Sequence, residues 1–136
     1  MADTPHHPML ADDRVAQWLG VTLEAAEKDH ARIRMTLTED HHNGFGMAHG
    51  GATMALLDVV HAAVSNSHGT VAIAQDVHTE FLAAGRPGDR LVAEGTDVHR
   101  SRRTAVYRIE ARAQDGRLVA TALARVFRTE DAWEDR

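Results

Sequence analysis

The stretch from Asn43 to Asp58 carries the residue types from which a reaction could be assembled. It reads Asn-Gly-Phe-Gly-Met-Ala-His-Gly-Gly-Ala-Thr-Met-Ala-Leu-Leu-Asp. His49, Gly50 and Gly51 stand where an apolar run begins, and a helix that starts in glycines presents backbone N–H groups that no side chain shields. Such an end can bind a carbonyl oxygen or an oxyanion. The carboxylate of Asp58, two turns later, could act as a nucleophile or a general base.

Each part of this stretch also has a simpler explanation. The glycines could mark a helix entry at which two backbones pack closely. Asp58 could be a buried acid satisfied by core partners, because an unpaired buried carboxylate is costly. It lies too deep in the run to cap the helix. The residues alone leave these alternatives open, and they do not decide between a nucleophile and a base.

The elements that must position these residues include one long helix. Residues 12–19 have a capping aspartate and one apolar face, which predicts a short helix. Residues 50–66 are rich in Ala, Leu and Met, and only Asp58 and His61 are ionisable, which predicts a longer helix. Because this second helix is apolar on nearly every side, we expect other elements to wrap around it.

Alternating apolar and polar residues predict the strands of a sheet. The first two should form a hairpin, and the dipeptide Asp115-Gly116 indicates another hairpin between the last two. The predicted strands cover residues 21–25, 33–37, 70–82, 90–99, 103–113 and 117–127. One long helix with a curled, mostly antiparallel sheet is an α+β arrangement.

Length and composition limit the class of protein. The chain has 136 residues and no cysteine, which predicts one domain and excludes disulfides, thiolate zinc sites and cysteine nucleophiles. The net charge of −5 and the aromatic content of 4% argue against a nucleic-acid binder. Without an apolar leader or a run of about 20 apolar residues, we expect a soluble, cytoplasmic protein without membrane contact.

The chain is expected to divide into a single domain and two short flanking segments. Residues 1–11 should form a flexible N-terminal arm, because they contain breakers and little periodicity. Residues 12–128 should form the domain, and residues 129–136 a charged tail that frays.

The motifs of the chain have a recognisable combination. They are Asn43, Gly50-Gly51 and Asp58 at their spacing, then Ser65-Asn66-Ser67-x-Gly69, Glu80-Phe81-Leu82, Gly85-x-Pro87-Gly88-Asp89 and the cluster from Arg100 to Arg103. Over residues 15–128 the chain resembles the hotdog-fold acyl-CoA thioesterases, in particular their phenylacetic-acid-degradation (PaaI-like) branch. The resemblance implies a sheet wrapped around a central helix. It also implies homodimers that pair through their sheets, often as a dimer of dimers.

The same resemblance implies roles for individual residues. An acyl-CoA, such as a phenylacetyl- or hydroxyphenylacetyl-CoA, would be cleaved to the free acid and CoA without a metal or other cofactor. Asp58 would be the catalytic carboxylate, and the N–H of Gly50 or Gly51 would polarise the thioester carbonyl. Asn43 would help to hold the carbonyl or the attacking water. Apart from the resemblance, we expect His49 to orient the loop by a hydrogen bond.

One position departs from the family pattern. Related enzymes often carry Thr or Ser one helical turn after the acid, and here that residue is Ala62. A water-positioning hydroxyl must therefore come from elsewhere in the molecule.

The side chains that would contact the substrate are defined less sharply. Phe45, Met47 and Met54 are apolar candidates for the acyl pocket, and they do not specify the acyl group. The arginines at the predicted turn could simply be solvated. Against a net negative background they would also suit the phosphates of CoA. These candidates are Arg100, Arg102 and Arg103.

Helix geometry separates the glycines from the acid. Gly50 and Asp58 are eight residues apart, which corresponds to about 12 Å along a helix axis. A thioester carbon held at the N–H of Gly50 could not reach the carboxylate of its own chain. We therefore expect the active site to straddle a dimer interface, with two equivalent sites per dimer.

Two other functions are also compatible with parts of the sequence, and its histidines suggest a metal site. A hotdog-fold enoyl-CoA hydratase or dehydratase pairs a histidine with an acid, which His49 and Asp58 could imitate. A non-catalytic acyl-CoA-binding protein is the other alternative. His41, His42 and His49 lie close in sequence, but no HExxH-type spacing is present, so we expect structural or solvent-exposed histidines and no metal site.

Overall fold

The computed structural model describes residues 7–135, and within them the helices and strands follow the predicted order. In chain order they are α1 (Pro8–Ala11), α2 (Arg14–Leu19), β1 (Thr22–Glu27), β2 (His30–Thr36), α3 (Gly50–Ser65), β3 (Thr70–Phe81), β4 (Arg90–Arg100), β5 (Thr104–Arg112) and β6 (Leu118–Ala132). Two 3₁₀ turns lie at Glu39–His41 and Trp133–Asp135. The predicted helices and strands are confirmed to within a few residues, except that β6 continues further.

The six strands form one antiparallel sheet in the order β1-β2-β4-β5-β6-β3. The sheet curls around α3, which contacts every strand. Strand β4 and α3 approach each other closely at a glycine: a Cβ at Gly95 would lie 3.0 Å from the Val60 side chain of α3, so a larger residue there would require the Val60 side chain to shift. The predicted α+β architecture, with a curled sheet around one central helix, is confirmed.

One face of α3 is not covered by residues 7–135 of the single chain. Gly51, Met54 and Asp58 are exposed, and Ala55 and Ala62 are half-buried, although the rest of the helix is mostly buried. The prediction that other elements wrap this helix on nearly every side is therefore wrong for this face. The sheet covers one side of α3 and α2 contacts only part of the remainder, so an apolar composition did not mean complete burial.

Strand β3 has a free edge. Among the described residues it is the last strand of the sheet and pairs with no strand other than β6. Its 12 residues present a row of unpaired backbone groups on the outer side, which is a template for pairing with another strand. Ile73 and Phe81 on this strand are more than half exposed, at 53% and 56%.

Both predicted flanking segments are partly structured. In the arm, residues 1–6 lie outside the described residues, but Pro8–Ala11 is helical and Leu10 packs against the core. In the tail, β6 runs to Ala132, and the backbone N–H of Trp133 donates to the carbonyl of Gly69 at 3.0 Å. The expected fraying after residue 128 is therefore not seen, because the tail pairs with β3 and the loop before it.

No helix within the described residues is long and apolar enough to span a bilayer.

Candidate functional site

The helix α3 starts at a histidine cap. His49 has extended backbone angles (φ −66°, ψ 132°), and its Nδ1 accepts the N–H of Gly51 at 2.8 Å. Its carbonyl accepts the N–H groups of Ala52 and Thr53 at 3.0 and 3.2 Å. Because Nδ1 accepts a hydrogen bond, the ring proton of the neutral imidazole lies on Nε2. The side chain of His49 thus uses the N–H of Gly51, one of the two predicted carbonyl ligands.

The N–H of Gly50 is left without an acceptor among the described residues. A Cβ at this position would meet the ring of Phe81 first, at 3.4 Å, and a Cβ at Gly51 would meet the ring of His49 at 3.0 Å. Both nearest neighbours are side chains. Close packing of two backbones is therefore not the reason for this glycine pair, and that alternative is wrong.

A groove of about 350 Å³ opens beside the N–H of Gly50. The segment that follows β3 forms one wall, and the first turn of α3 forms another. Its lining residues include Gly50, Thr53 and Phe81. Thr53 was not among the predicted site residues, although it lies inside the motif three residues after Gly50. Its position on the same helical face as Gly50 is the signal that could have identified it.

Asn43 shapes the loop before α3. Its Oδ1 accepts the N–H groups of Phe45 and Met47 at 2.8 and 3.2 Å, and its backbone N–H donates to the carbonyl of Met47 at 2.7 Å. This is an Asx-type turn, which is typical of asparagine in loops. Its Nδ2 has no partner among residues 7–135, so only the amide N–H groups of Asn43 remain for a ligand.

The predicted apolar contacts have different surroundings. Phe45, at the tip of this loop, is 92% exposed, and Met54, on the open face of α3, is 40% exposed. Met47 is half-buried. A single chain therefore builds no closed acyl pocket from these three side chains.

Asp58 lies on the open face of α3, one turn beyond Met54. It is exposed and has no hydrogen bond or ion pair with any described residue, so the alternative of a buried acid satisfied by core partners is wrong. Partial burial raises the pKa of its carboxyl above the usual value, and the negative charge of Asp13 at the start of α2 raises it further. A carboxylate with a raised pKa is a stronger base than an ordinary aspartate.

The predicted arginine cluster lies at the other end of the molecule from Gly50. The turn that carries it precedes β5, whose first residue, Thr104, pairs with Phe127. Gly50, in contrast, contacts Phe81, which pairs with Ala120 at the opposite end of β6. Within one chain, the structure does not bring the arginines and the glycines together.

The three arginines also differ in their partners. Nη1 of Arg100 lies 2.6 Å from Oδ2 of Asp29 and contacts the ring of His68. Burial alone would raise the pKa of Asp29, but His68 and Arg100 outweigh it and lower that pKa. Arg102 forms an exposed ion pair with Glu130 at 2.8 Å. Arg103 has no carboxylate partner among the described residues.

The neighbouring histidines do not form a cluster suited to a metal ion. His41 is buried and its Nδ1 accepts the backbone N–H of Thr38 at 3.0 Å. His42 is half-buried, and His49 caps α3. Within residues 7–135, no three His, Cys, Asp or Glu side chains lie together as a metal-binding group.

Comparisons with known proteins agree with this fold. Acyl-coenzyme A thioesterase PaaI of Escherichia coli is 34% identical over 114 residues, which cover 84% of this chain and 81% of that protein. The structure of the E. coli PaaI protein from the phenylacetic acid degradation operon matches with a TM-score of 0.88 at 31% identity, over 91% of this chain and 90% of that chain.

A second solved structure and a family model also match this chain. The Streptococcus mutans protein smu.793, bound to acetyl-CoA, matches with a TM-score of 0.80 at 29% identity, over 82% of this chain and 90% of that chain. The model of the thioesterase superfamily matches residues 45–120, which include the glycine pair and Asp58. The chain therefore belongs to the thioesterase superfamily and has the hotdog fold.

Proposed function

We propose that this protein hydrolyses acyl-CoA thioesters to the free acid and CoA, in active sites shared by two protomers. The observation that carries the proposal is the N–H of Gly50, which has no acceptor among the described residues and belongs to a residue that lines a groove at the start of α3. The relatives support the substrate class, since one is named an acyl-coenzyme A thioesterase and another was solved with acetyl-CoA bound.

The N–H of Gly50 would donate to the thioester carbonyl oxygen. As negative charge develops on this oxygen in the transition state, a fixed backbone donor and the positive end of the helix stabilise it. The side chain of His49 has a supporting role, because by accepting the N–H of Gly51 it fixes the first turn of α3. The remaining amide N–H groups of Asn43 would hold the carbonyl or the attacking water.

The catalytic carboxylate would come from the second protomer. In the structure α3 is a continuous helix from Gly50 to Ser65, so Gly50 and Asp58 of one chain are about 12 Å apart along its axis. Asp58 also lies on the face of α3 that its own chain leaves open. A thioester held at Gly50 would therefore be attacked with the help of the partner's Asp58.

The free edge of β3 supplies the surface for this dimer. Two copies of β3 pairing antiparallel would satisfy the unpaired backbone groups of both edges. Val15 and Trp18 on α2 are also exposed, at 50% and 53%, and a second interface in a dimer of dimers would cover them. We propose a homotetramer built in this way.

The chemistry needs one carboxylate and no metal or other cofactor. As a base, the carboxylate would take a proton from water while the water oxygen bonds to the carbonyl carbon. The C–S bond then breaks, and the sulfur leaves as a thiolate that takes up a proton. As a nucleophile, the carboxylate oxygen would bond to the carbonyl carbon and expel the thiolate, and water would hydrolyse the resulting anhydride. A thiolate leaves readily, so neither route requires a strong general acid.

The phosphates of CoA would be bound by the partner's arginine turn. Antiparallel pairing of two β3 strands puts the Thr70 end of one beside the Phe81 end of the other, and the arginine turn lies near the Thr70 end of its own chain. Arg103 has no carboxylate partner among the described residues, and an exposed ion pair such as Arg102–Glu130 is worth at most about 1 kcal/mol. Arg100, already paired with Asp29, would hold the turn and add to its positive charge.

An aryl-acetyl group is the acyl group that we propose. The operon name of the E. coli relative supports it. Phe45, Met47 and Met54 are unbranched or aromatic apolar side chains on the loop and on the open face of α3, where a second protomer could close a flat apolar pocket.

The direct test is release of free thiol from a panel of acyl-CoAs that includes acetyl-, hexanoyl- and phenylacetyl-CoA. Asp58→Ala should lower kcat by a factor of about 10²–10⁴, the usual contribution of a positioned base. Hydration of crotonyl-CoA without thiol release would overturn the proposal in favour of a hydratase. Tight acyl-CoA binding by both wild type and Asp58→Asn, with no thiol released by either, would indicate a binding protein.

A further inference from the structure

We propose that the hydroxyl of Thr53 is a second hydrogen-bond donor to the thioester carbonyl, beside the N–H of Gly50. The inference rests on the proposed hydrolysis and adds a catalytic residue to it. It also supplies a side-chain hydroxyl to an active site in which the position one turn after the acid is Ala62.

Thr53 is a buried residue with an unused hydrogen-bonding group. Its side chain belongs to a residue that is only 3% exposed, yet the hydroxyl has no partner among the described residues. Hydroxyls inside proteins nearly always have a hydrogen-bond partner, so an unused one beside a groove is available to a ligand. Thr53 lines the groove beside Gly50, and its Oγ1 is not among the buried unpartnered atoms sealed from solvent. The hydroxyl therefore keeps some access to solvent, and we place it on the groove side of Thr53.

The hydroxyl of Ser65, on the same helix, makes the hydrogen bond to the backbone that the hydroxyl of Thr53 does not make. Oγ of Ser65 donates to the carbonyl of His61, four residues earlier, at 2.6 Å. This bond is the common solution for Ser and Thr inside helices. The equivalent acceptor for Thr53 is the carbonyl of His49, which already accepts two backbone N–H groups. With both lone pairs of that carbonyl in use, the hydroxyl of Thr53 remains available to a ligand.

Helix geometry directs both donors to one point. Residues three apart on a helix lie on the same face, with Cβ atoms about 5–6 Å apart. Side chains also lean towards the N-terminus of their helix, so the hydroxyl of Thr53 is carried back over the first turn, towards Gly50. One carbonyl oxygen in the groove can therefore accept from the N–H of Gly50 and from Oγ1 of Thr53 together.

The test compares two substitutions at this position. Thr53→Val keeps the branched shape and removes the hydroxyl, whereas Thr53→Ser keeps the hydroxyl. We expect Thr53→Val to lower kcat for thiol release about 10²-fold with little change in KM, as for loss of one oxyanion donor. Thr53→Ser should stay within a few-fold of wild type. Ser65→Ala, which removes a buried hydroxyl from the same helix, should leave kcat unchanged. Equal kcat for Thr53→Val and wild type would overturn the inference and leave the proposed hydrolysis intact.

A second measurement does not depend on turnover. The probe is a ketone analogue of an acyl-CoA, in which a methylene group replaces the sulfur and hydrolysis is impossible. Its carbonyl stretch, recorded by infrared difference spectroscopy, should lie at lower frequency when bound to wild type or Thr53→Ser than to Thr53→Val. An identical frequency in all three would contradict the role of Thr53. A wild type that hydrolyses no thioester would instead overturn the proposed function, and the frequency would still decide whether the hydroxyl contacts the carbonyl.

Discussion

The polar groups at the two ends of α3 differ in whether they have hydrogen-bond partners. At the C-terminal end, Oδ1 of Asn66 accepts the N–H of Ala72 at 2.8 Å and the indole N–H of Trp133 at 3.0 Å, and its Nδ2 donates to the carbonyl of Ala62 at 2.9 Å. At the N-terminal end, the N–H of Gly50 and the hydroxyl of Thr53 have no partner among the described residues.

The C-terminal end of α3, which we call the closed end, is also hydrogen-bonded to the loops around it. Oγ of Ser67 donates to the carbonyl of Val64 at 2.7 Å and accepts the N–H of Asp29 at 2.9 Å. Asp29, which adopts a positive φ of 59° at the β1–β2 turn, also pairs with Arg100 and His68. Every one of these groups satisfies another part of the same chain, so this end stabilises the fold. At the N-terminal end of α3, which we call the open end, donors remain without acceptors among the described residues. A ligand site requires such donors.

The difference predicts that substitutions at the two ends separate stability from activity. Asn66→Ala would leave the indole N–H of Trp133 and the N–H of Ala72 without their acceptor. We expect the free energy of unfolding to fall by about 3 kcal/mol, with kcat of the folded protein within two-fold of wild type. Urea denaturation and thiol release, measured on the same preparation, check both expectations.

Thr53→Val is the matched variant at the open end, where we expect the reverse: near-normal stability and low kcat. A stability loss at Thr53 as large as that at Asn66, or a large loss of kcat in Asn66→Ala, would remove the distinction between the two ends.

A smaller effect is expected from the charge beside Asp58. The proposed mechanism needs Asp58 ionised, so kcat/KM should fall as the pH decreases through its pKa, which burial and then Asp13 hold above the usual value. Asp13→Asn removes the negative charge but keeps an oxygen to cap α2, where Oδ1 now accepts the N–H of Ala16 at 2.9 Å. The pKa of Asp58 should decrease, and the acid limb of the kcat/KM profile should move to lower pH.

Asp12→Asn is the control for this shift, because Asp12 is exposed and does not contribute to the pKa of Asp58. An acid limb that stays in place in Asp13→Asn, or that moves equally in both variants, would show that Asp13 does not tune the carboxylate.

Much of the fold follows from local pattern. The apolar run after Gly51 predicts α3 almost to the residue, and alternation predicts the strands, because helix and strand periods depend on neighbouring residues only. The exposed face of α3 could not be predicted in the same way. Burial depends on how far the sheet curls and on where α2 lies, and the composition of the helix predicts neither.

The site shows the same limit. The motif predicted the glycines and Asp58 as site residues, but not that His49 uses the N–H of Gly51 and leaves Gly50 as the donor without an acceptor among residues 7–135. The motif also did not predict that the arginines lie at the opposite end of the folded molecule from Gly50, because their position depends on strand register. Thr53 lies within the motif, and our proposal for it depends on its hydroxyl having no partner among the described residues, which the sequence could not indicate.

The central claim is that each active site combines the glycine end of one protomer with the carboxylate of the other. Gly50→Pro removes the free N–H with little strain, because proline suits the first position of a helix and His49 already has the extended ψ of 132° that precedes proline. Gly50→Pro and Asp58→Ala should each lower kcat for thiol release by a factor of about 10² or more on their own.

The decisive measurement is thiol release after the two inactive variants are mixed and their subunits have exchanged, as followed by native mass spectrometry. A heterodimer contains one site with both Gly50 and the partner's Asp58 intact. Random exchange should therefore restore about a quarter of wild-type activity. If exchange is complete and activity does not rise above that of the separate variants, the carboxylate serves the glycines of its own chain and the shared site is wrong.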